Sequence, residues 1–397
     1  MTGLFNMKTE VLGTGAVAAM VFLSSLMAPT TAYAAPRTPT DDAQVLEKLA
    51  VKAGDATARQ LFALRAASQK APTNATAAAQ LAEAYFDVAS ARGDPRYVGY
   101  AEAVVNRFAQ PLPLDLLSMR GVVRQYRHDF GGALLDFAEV LQRDPTFAMA
   151  HAWRGAIFLV QADYAAAQQE CAKLYALGRT NLGDACQGLA LAYSGKLEAG
   201  YHTLLKALDR VSEPESRLWV LTRLGELAAW RGMGAQAQAH YMAALALGRD
   251  DVYLLAAWSD FLLDAGRFQE VAKLLADWEA SDSLLLRLTE AEAALKAPSA
   301  DKHMRMLADR YAAARARGDT THRAEEARFE LHLRKDPRTA TQLARDNYAV
   351  QREPRDARVL LEAALAAKDP SSAQAARDWL RSSGFEDARM RQLGAMP

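Results

Sequence analysis

The chain has 397 residues and carries 47 Lys+Arg against 47 Asp+Glu, so its formal net charge is zero. Hydrophobic residues make up 51% and charged residues 24%, which excludes a largely disordered chain. The charge balance also excludes a strong global field for polyanions, so nucleic acid is not expected as a partner. About one residue in five is Ala while aromatics are only 8%, a composition that leans towards closely packed helices.

Residues 1–34 read as a signal peptide. Lys8 precedes an apolar run from Val11 to Met27, thinned by Gly13 and Gly15. Small residues at Ala32 and Ala34 suit cleavage after Ala34. Met7 is an alternative start. An uncleaved anchor is the alternative fate, since the run is about 17 residues and marginal as a span. No Cys lies near the cut, which excludes a lipoprotein-type anchor. Cleavage predicts a periplasmic or secreted protein with no stable membrane span, and residues 35–40 then form a linker.

From Asp41 onward no strand pattern occurs. Helical stretches of about 12 to 15 residues recur, broken by Gly, Asp-Pro or Gly-Asp. Residues 41–73 read as two capping helices. Residues 74–282 hold paired helices in units of about 34 residues. The clearest unit places Leu224-Gly225 and Ala228 on its first helix, Gly232 at the turn, and Ala237, Tyr241 and Ala244 on its second. The next unit has Leu255, Trp258, Leu262, Gly266, Phe268 and Val271 at similar offsets. Earlier units align Gly121 with Phe130, Ala133 and Phe137, then Gly155 with Tyr164 and Ala167, then Gly188 with Gly195 and Leu197. Residues 283–384 continue as hairpins of similar period with worn motifs, interrupted near Pro298. Residues 385–397 read as a frayed tail.

This pattern resembles the tetratricopeptide repeat family, strongly over residues 115–277. Its departures are His151 at the usual Trp position and Arg120 and Gln187 in place of Leu. The resemblance implies an all-α fold: a right-handed α-solenoid of about nine hairpins, in which small residues such as Gly121, Gly155, Gly188 and Gly225 let the two helices of a unit touch. No unit buries its apolar face alone, so neighbours must stack. Taken whole, the chain is similar to exported tetratricopeptide proteins of Gram-negative bacteria, and the resemblance supplies no enzyme activity.

Two cysteines, Cys171 and Cys186, fall on the second helix of one unit and the first helix of the next. In an exported protein such a pair reads as a disulfide rather than a metal pair, with two buried small hydrophobes as the alternative. The resemblance also implies a concave face lined by first-helix side chains. By register these are Gln125, Tyr126, Met149, Leu159, Tyr193, Trp219, Glu226, Trp230, Tyr253, Asp260 and Asp264. Several of the aromatics could equally be seam packing. These positions hold no cluster of Lys and Arg of the kind that cytosolic co-chaperones of the family use to clamp a carboxylate.

No catalytic, cofactor or metal site is expected. The seven histidines show no zinc spacing, and there is no nucleophile elbow, phosphate loop or dinucleotide fingerprint. Arg317-Gly318-Asp319 reads as a helix stop rather than an adhesion signal. The expected function is an exported scaffold that binds a protein or peptide in its aromatic-lined groove. A structural subunit of a cell-envelope complex is the second reading, and an enzyme with an unrecognised site the third.

Overall fold

A computed structural model describes Asp41 and residues 55–395. The expected signal peptide, its cleavage site, the linker and the first capping helix lie outside these residues. Among the described residues, twenty helices occur, all within the unit Ala53–Pro397. No strand occurs among the described residues, and no helix there is long and apolar enough to cross a membrane.

A single helix, α1 (Ala56–Lys70), opens the series. Six hairpins follow: α2 (Ala75–Arg92) with α3 (Arg96–Val105), α4 (Leu114–Tyr126) with α5 (Phe130–Arg143), α6 (Ala148–Val160) with α7 (Tyr164–Ala176), α8 (Thr180–Tyr193) with α9 (Leu197–Arg210), α10 (Pro214–Trp230) with α11 (Gly234–Leu245), and α12 (Val252–Asp264) with α13 (Phe268–Leu274). Three more complete the array: α14 (Asp282–Leu295) with α15 (Ala300–Ala316), α16 (Arg323–Phe329) with α17 (Pro337–Tyr348), and α18 (Pro354–Ala366) with α19 (Gln374–Ser383). A π-helical turn, Glu330–Arg334, extends α16, and α20 (Ala388–Ala395) closes the described chain. The fold is therefore an α-solenoid of tetratricopeptide type with nine hairpins between two single helices.

The repeat is set by close helix contacts. A Cβ built on Gly121 would lie 2.8 Å from the Phe137 ring, one on Gly188 2.7 Å from Leu204, and one on Gly225 2.7 Å from Tyr241. In these three units the first helix offers a hydrogen where the second seats a large apolar side chain. Phe137, Leu204 and Tyr241 are all buried as a result. The turn between the two helices repeats as well. His128, Ala162, Gly195, Gly232 and Gly266 all adopt positive φ at the same place in five successive units.

The motif departures are compensated in pairs. Arg120, where Leu is usual, donates to Asp136 across its hairpin at 2.7 Å. In the next unit Arg154 donates to Glu170 at 2.7 Å, and His151 Nδ1 lies 2.6 Å from the other oxygen of the same carboxylate. An apolar seam contact has been exchanged for a partly buried ion pair at the same spacing.

Cys171 and Cys186 form the disulfide, with Cα atoms 5.5 Å apart. Gly155 packs directly on it, since a Cβ there would lie 3.1 Å from Cys186 Sγ. The bond joins α7 to α8 and so fixes one unit to the next.

The last hairpins do not extend the solenoid outward. Arg352 N donates to Val160 O at 2.7 Å, Trp379 Nε1 to Tyr164 OH at 2.7 Å, and Leu197 N to Glu386 Oε2 at 2.7 Å. These bonds seat α18 to α20 against the ends of α6 to α9. Residues 385–395, expected as a frayed tail, are ordered: Phe385 is 1% exposed and α20 is helical. The reason is an aromatic seat built from Trp379 nearby and from Trp230 and Tyr193, both more than 150 residues away along the chain.

Two stability tests follow. Gly225→Ala forces a methyl against the buried Tyr241 ring and should cost about 1–3 kcal/mol by urea unfolding. An unchanged midpoint would contradict the seating. Reducing the disulfide releases a 15-residue separation and should cost about 3 kcal/mol. Thiol alkylation in denaturant should label neither cysteine before reduction, and full labelling without reductant would refute the bond.

Candidate functional site

The first helices carry parallel stripes onto one inner face. On α10 the stripe is Trp219, Arg223, Glu226 and Trp230, at steps of four, three and four residues, and on α12 it includes Tyr253, Asp260 and Asp264. Such spacing keeps side chains on one side of a helix. The structure places the register positions as follows. Gln125, Tyr126, Leu159, Tyr193, Trp219 and Tyr253 line a cavity of about 520 Å³ between the early hairpins and the C-terminal ones. Glu226, Trp230, Tyr253, Asp260 and Asp264 line a second cavity of about 800 Å³. Met149 lines neither, and its side chain is exposed on the first turn of α6.

Arginines from outside the register positions also reach the inner face. Arg287 of α14 grips Asp260 through Nε (2.9 Å) and Nη2 (2.7 Å), and Arg328 of α16 adds a third bond to it at 2.7 Å. Arg328 also clasps Glu290 at 2.7–2.8 Å. One turn along α12, Asp264 takes both Nη atoms of Arg358 from α18, at 2.7 and 2.6 Å, and Arg389 of α20 at 2.5 Å. Both of these groove carboxylates are thus occupied by the chain's own arginines.

Burial alone would raise the Asp260 carboxyl. Arg287 and Arg328 overcome that and hold it well below the usual carboxylate range. Glu362 behaves likewise: burial opposes, but His332 and Arg358 bring it down to about 2. Asp356 moves the other way, pushed up first by burial and then by the neighbouring Glu353.

Arg223 was missed by the register, although it lies between Trp219 and Glu226 on the same stripe. Its Nη1 donates to Glu226 Oε2 at 3.0 Å and to the Tyr253 hydroxyl, and its guanidinium lies 4.1 Å from the centre of the Tyr253 ring. Tyr253 OH donates on to Glu226 Oε1 at 2.7 Å. Arg355 of α18 stacks on the same ring from 5.5 Å and pairs with Glu353 at 2.6 Å. Burial opposes the charge on Arg223, but Tyr253 and Glu226 keep it firmly protonated. Burial also pushes the Tyr126 hydroxyl up to about 12.

Beside this charged region lies an apolar notch of about 310 Å³, walled by Ala156, Leu159, Leu189, Val220, Trp219 and Cys186. Leu159, Leu189 and Trp219 also line the 520 Å³ cavity, so the notch and the cavity adjoin across Trp219. Trp219 is 37% exposed, with Arg223 5.5 Å above its ring. Trp230 is different: its ring packs 5.1 Å from Phe385 and 5.9 Å from Tyr193, so it is a seam residue of the closed structure. Among the described residues no group of three or more His, Cys, Asp or Glu could hold a metal ion.

No protein-family model matches the chain, and no curated protein does either. Solved structures do resemble it. A tetratricopeptide repeat protein from Parabacteroides merdae is 14% identical, with 58% of this chain and 91% of that one covered and a TM-score of 0.42. Yeast Tom70 is 13% identical over 85% of this chain and 84% of its own, with a TM-score of 0.46. A human IFIT1 dimer, solved with m7Gppp-AAAA, is 14% identical over 86% and 87%, with a TM-score of 0.44. At such low identity and TM-score the assignment of the repeat rests on the glycine seats and hairpin order of this chain.

The electrostatic test is a difference measurement. Asp260 has a lower pKa folded than unfolded, so the unfolded chain binds more protons at pH values between the two. Its contribution is complete above the unfolded value of about 4 and is lost as pH falls towards the folded one. Asp260→Asn should therefore cost about 3 kcal/mol at pH 6, by leaving Arg287 and Arg328 short of a counter-charge. The gap between wild type and variant should narrow steadily as the pH is lowered to 2. A gap that stays constant with pH would contradict the clamp.

Proposed function

We propose that this chain is a non-catalytic, exported scaffold that captures a segment of a partner protein on its inner face, at the junction of the apolar notch and the charged cavity. The observation that carries the reading is Trp219. It is the one exposed aromatic of the predicted groove that adjoins both an apolar notch and a charged cavity, and large amphipathic rings at such junctions are frequent binding anchors. An apolar side chain of the partner fills the notch, and its backbone or polar groups meet Gln125, Arg223 and Arg355 across the cavity. The Arg223–Glu226 and Arg355–Glu353 pairs leave little net charge there, so affinity should vary only modestly with salt.

Export is supported by the apolar run before Ala34 and by the disulfide, which persists in oxidising compartments. The proposal that nucleic acid is not a partner rests on the balance of 47 basic and 47 acidic residues.

The test is photocrosslinking from position 125 in the native envelope, followed by binding measurements on the protein recovered. Trp219→Ala should weaken that interaction at least tenfold, about 1.4 kcal/mol or more, with an unchanged unfolding midpoint. Equal affinity for both proteins would refute the site. A steep fall in affinity with salt would refute the apolar anchor. Light scattering that shows a large stable assembly with no captured segment would favour the structural-subunit reading instead.

A further inference from the structure

Residues 384–395 are the part of the inner face that the chain contributes from far along its own sequence. Phe385 fills an aromatic seat, with ring centres 5.1 Å from Trp230, 5.2 Å from Trp379 and 6.5 Å from Tyr193. The next residue, Glu386, accepts from the backbone N–H of Leu197 at 2.7 Å. Leu197 begins α9, whose N-cap Lys196 offers no side-chain cap, so Glu386 satisfies from a distance a donor that the helix leaves open. Three residues on, Arg389 reaches Asp264 at 2.5 Å. The order read by the seat is aromatic, acidic, two intervening residues, basic.

The hold of this segment on the seat is local. It is joined to α19 through Gly384, at a φ of +65°, and α20 has only eight residues. Arg389 is half exposed, and Asp264 keeps its stronger two-pronged bond to Arg358 when Arg389 leaves. The 800 Å³ cavity runs between the segment and the inner face, with Phe385 and Arg389 on one wall and Glu226 and Asp260 on the other. The contacts to the earlier hairpins come from Phe385, Glu386 and Arg389, while Met390 and Leu393 of α20 pack on the apolar core, so the segment is seated along α20 as well as at those three residues.

We propose that the seat of Phe385, Glu386 and Arg389 is a docking site for a partner protein segment with the same order of chemistry, aromatic–acidic–x–x–basic, and that residues 384–395 are its resident competitor. This rests on the reading that the inner face captures protein segments, and it names the sequence pattern one part of that face prefers. A segment tethered to its own site acts at an effective concentration in the millimolar range, so an external ligand binds the full chain more weakly than its intrinsic affinity by that factor. A partner engages the site only when its own segment, or contacts elsewhere on the inner face, outweigh the tether.

The experiment uses the full chain and a fluorescein-labelled peptide of residues 383–395. A triple variant, Phe385→Ala with Glu386→Gln and Arg389→Ala, frees the seat while leaving its walls intact. It should bind the peptide at least tenfold more tightly than wild type, read by fluorescence anisotropy. A peptide with Ala in place of Phe385 should lose that binding, and adding Asp264→Asn to the triple variant should weaken it. Equal binding by wild type and triple variant, or no binding by a triple variant whose circular dichroism and thermal unfolding are those of a folded protein, overturns the proposal. If the triple variant does not fold, Arg389→Ala alone, at a half-exposed position, should still raise peptide binding at least threefold, and no gain overturns the proposal. Failure of capture at Trp219 with peptide binding intact would retire the central-cavity reading alone.

Discussion

Two carboxylates one turn apart on α12 determine how the second half of this chain is arranged. Asp260 and Asp264 receive Arg287, Arg328, Arg358 and Arg389, which come from α14, α16, α18 and α20 in turn. Every one of these helices except the last is the first helix of its hairpin, the kind that would line an open groove in a gently curved array. A guanidinium removed from water costs several kcal/mol unless a carboxylate meets it in good geometry. Arg287, Arg328 and Arg358, the more buried three, therefore turn α14, α16 and α18 towards α12, and half-exposed Arg389 adds α20 to the same carboxylate as Arg358. The last hairpin is thereby brought against α6 to α9, where Trp379, Phe385 and Glu386 find partners. A groove that generic repeats would leave open becomes a set of cavities between an early wall and a late one.

The helices, the glycine seats and the cysteine pair were legible in the sequence because each depends on residues within one or two repeats. Gly225 needs only Tyr241, and Cys171 needs only the helix that follows its own. Even the motif departures carried a readable signal. Arg120 with Asp136 and Arg154 with Glu170 are both separated by 16 residues, a charge pair repeated one unit later. The inner-face register was also legible, since the helix period fixes it. Closure was not, because the rotation between repeats is small and accumulates over the whole array. Arginines on worn hairpins look like a solvated face until that rotation is known. Phe385 was lost for the same reason: Trp379 is its only seat partner near in sequence, and the other two, Tyr193 and Trp230, lie in α8 and α10.

The zero net charge takes a sharper meaning from this arrangement. It is not a dilute scatter of surface charges. Part of it sits in clasps that pair arginine with carboxylate across helices far apart in sequence, including Arg358 with Asp264 and Arg328 with Asp260. Such pairs add little net field, but they specify which helix faces which. The aromatic residues divide along the same line. Trp230 and Tyr193 serve closure, whereas Trp219 stands at the edge of it.

The inner face thus has two walls of different physical character. The early wall is apolar and covalently fixed: Leu159, Leu189 and Cys186 border the notch, and the disulfide ties α7 to α8 directly beside it. A fixed apolar wall lowers the ordering cost of binding. The late wall is held by ion pairs, by the Trp379–Tyr164 hydrogen bond and by the buried rings of Trp379 and Phe385, of which the contacts of residues 385–389 can be exchanged with those of another chain carrying the same groups. A ligand that offered only apolar surface would use the early wall and leave the late one shut. One that also offered an aromatic ring with a neighbouring carboxylate and a nearby base would replace the contacts of residues 385–389 without leaving Asp264 or the start of α9 unsatisfied. Such a ligand restores every contact that residues 385–389 give up, including the one at the start of α9, and selectivity follows from the closure itself.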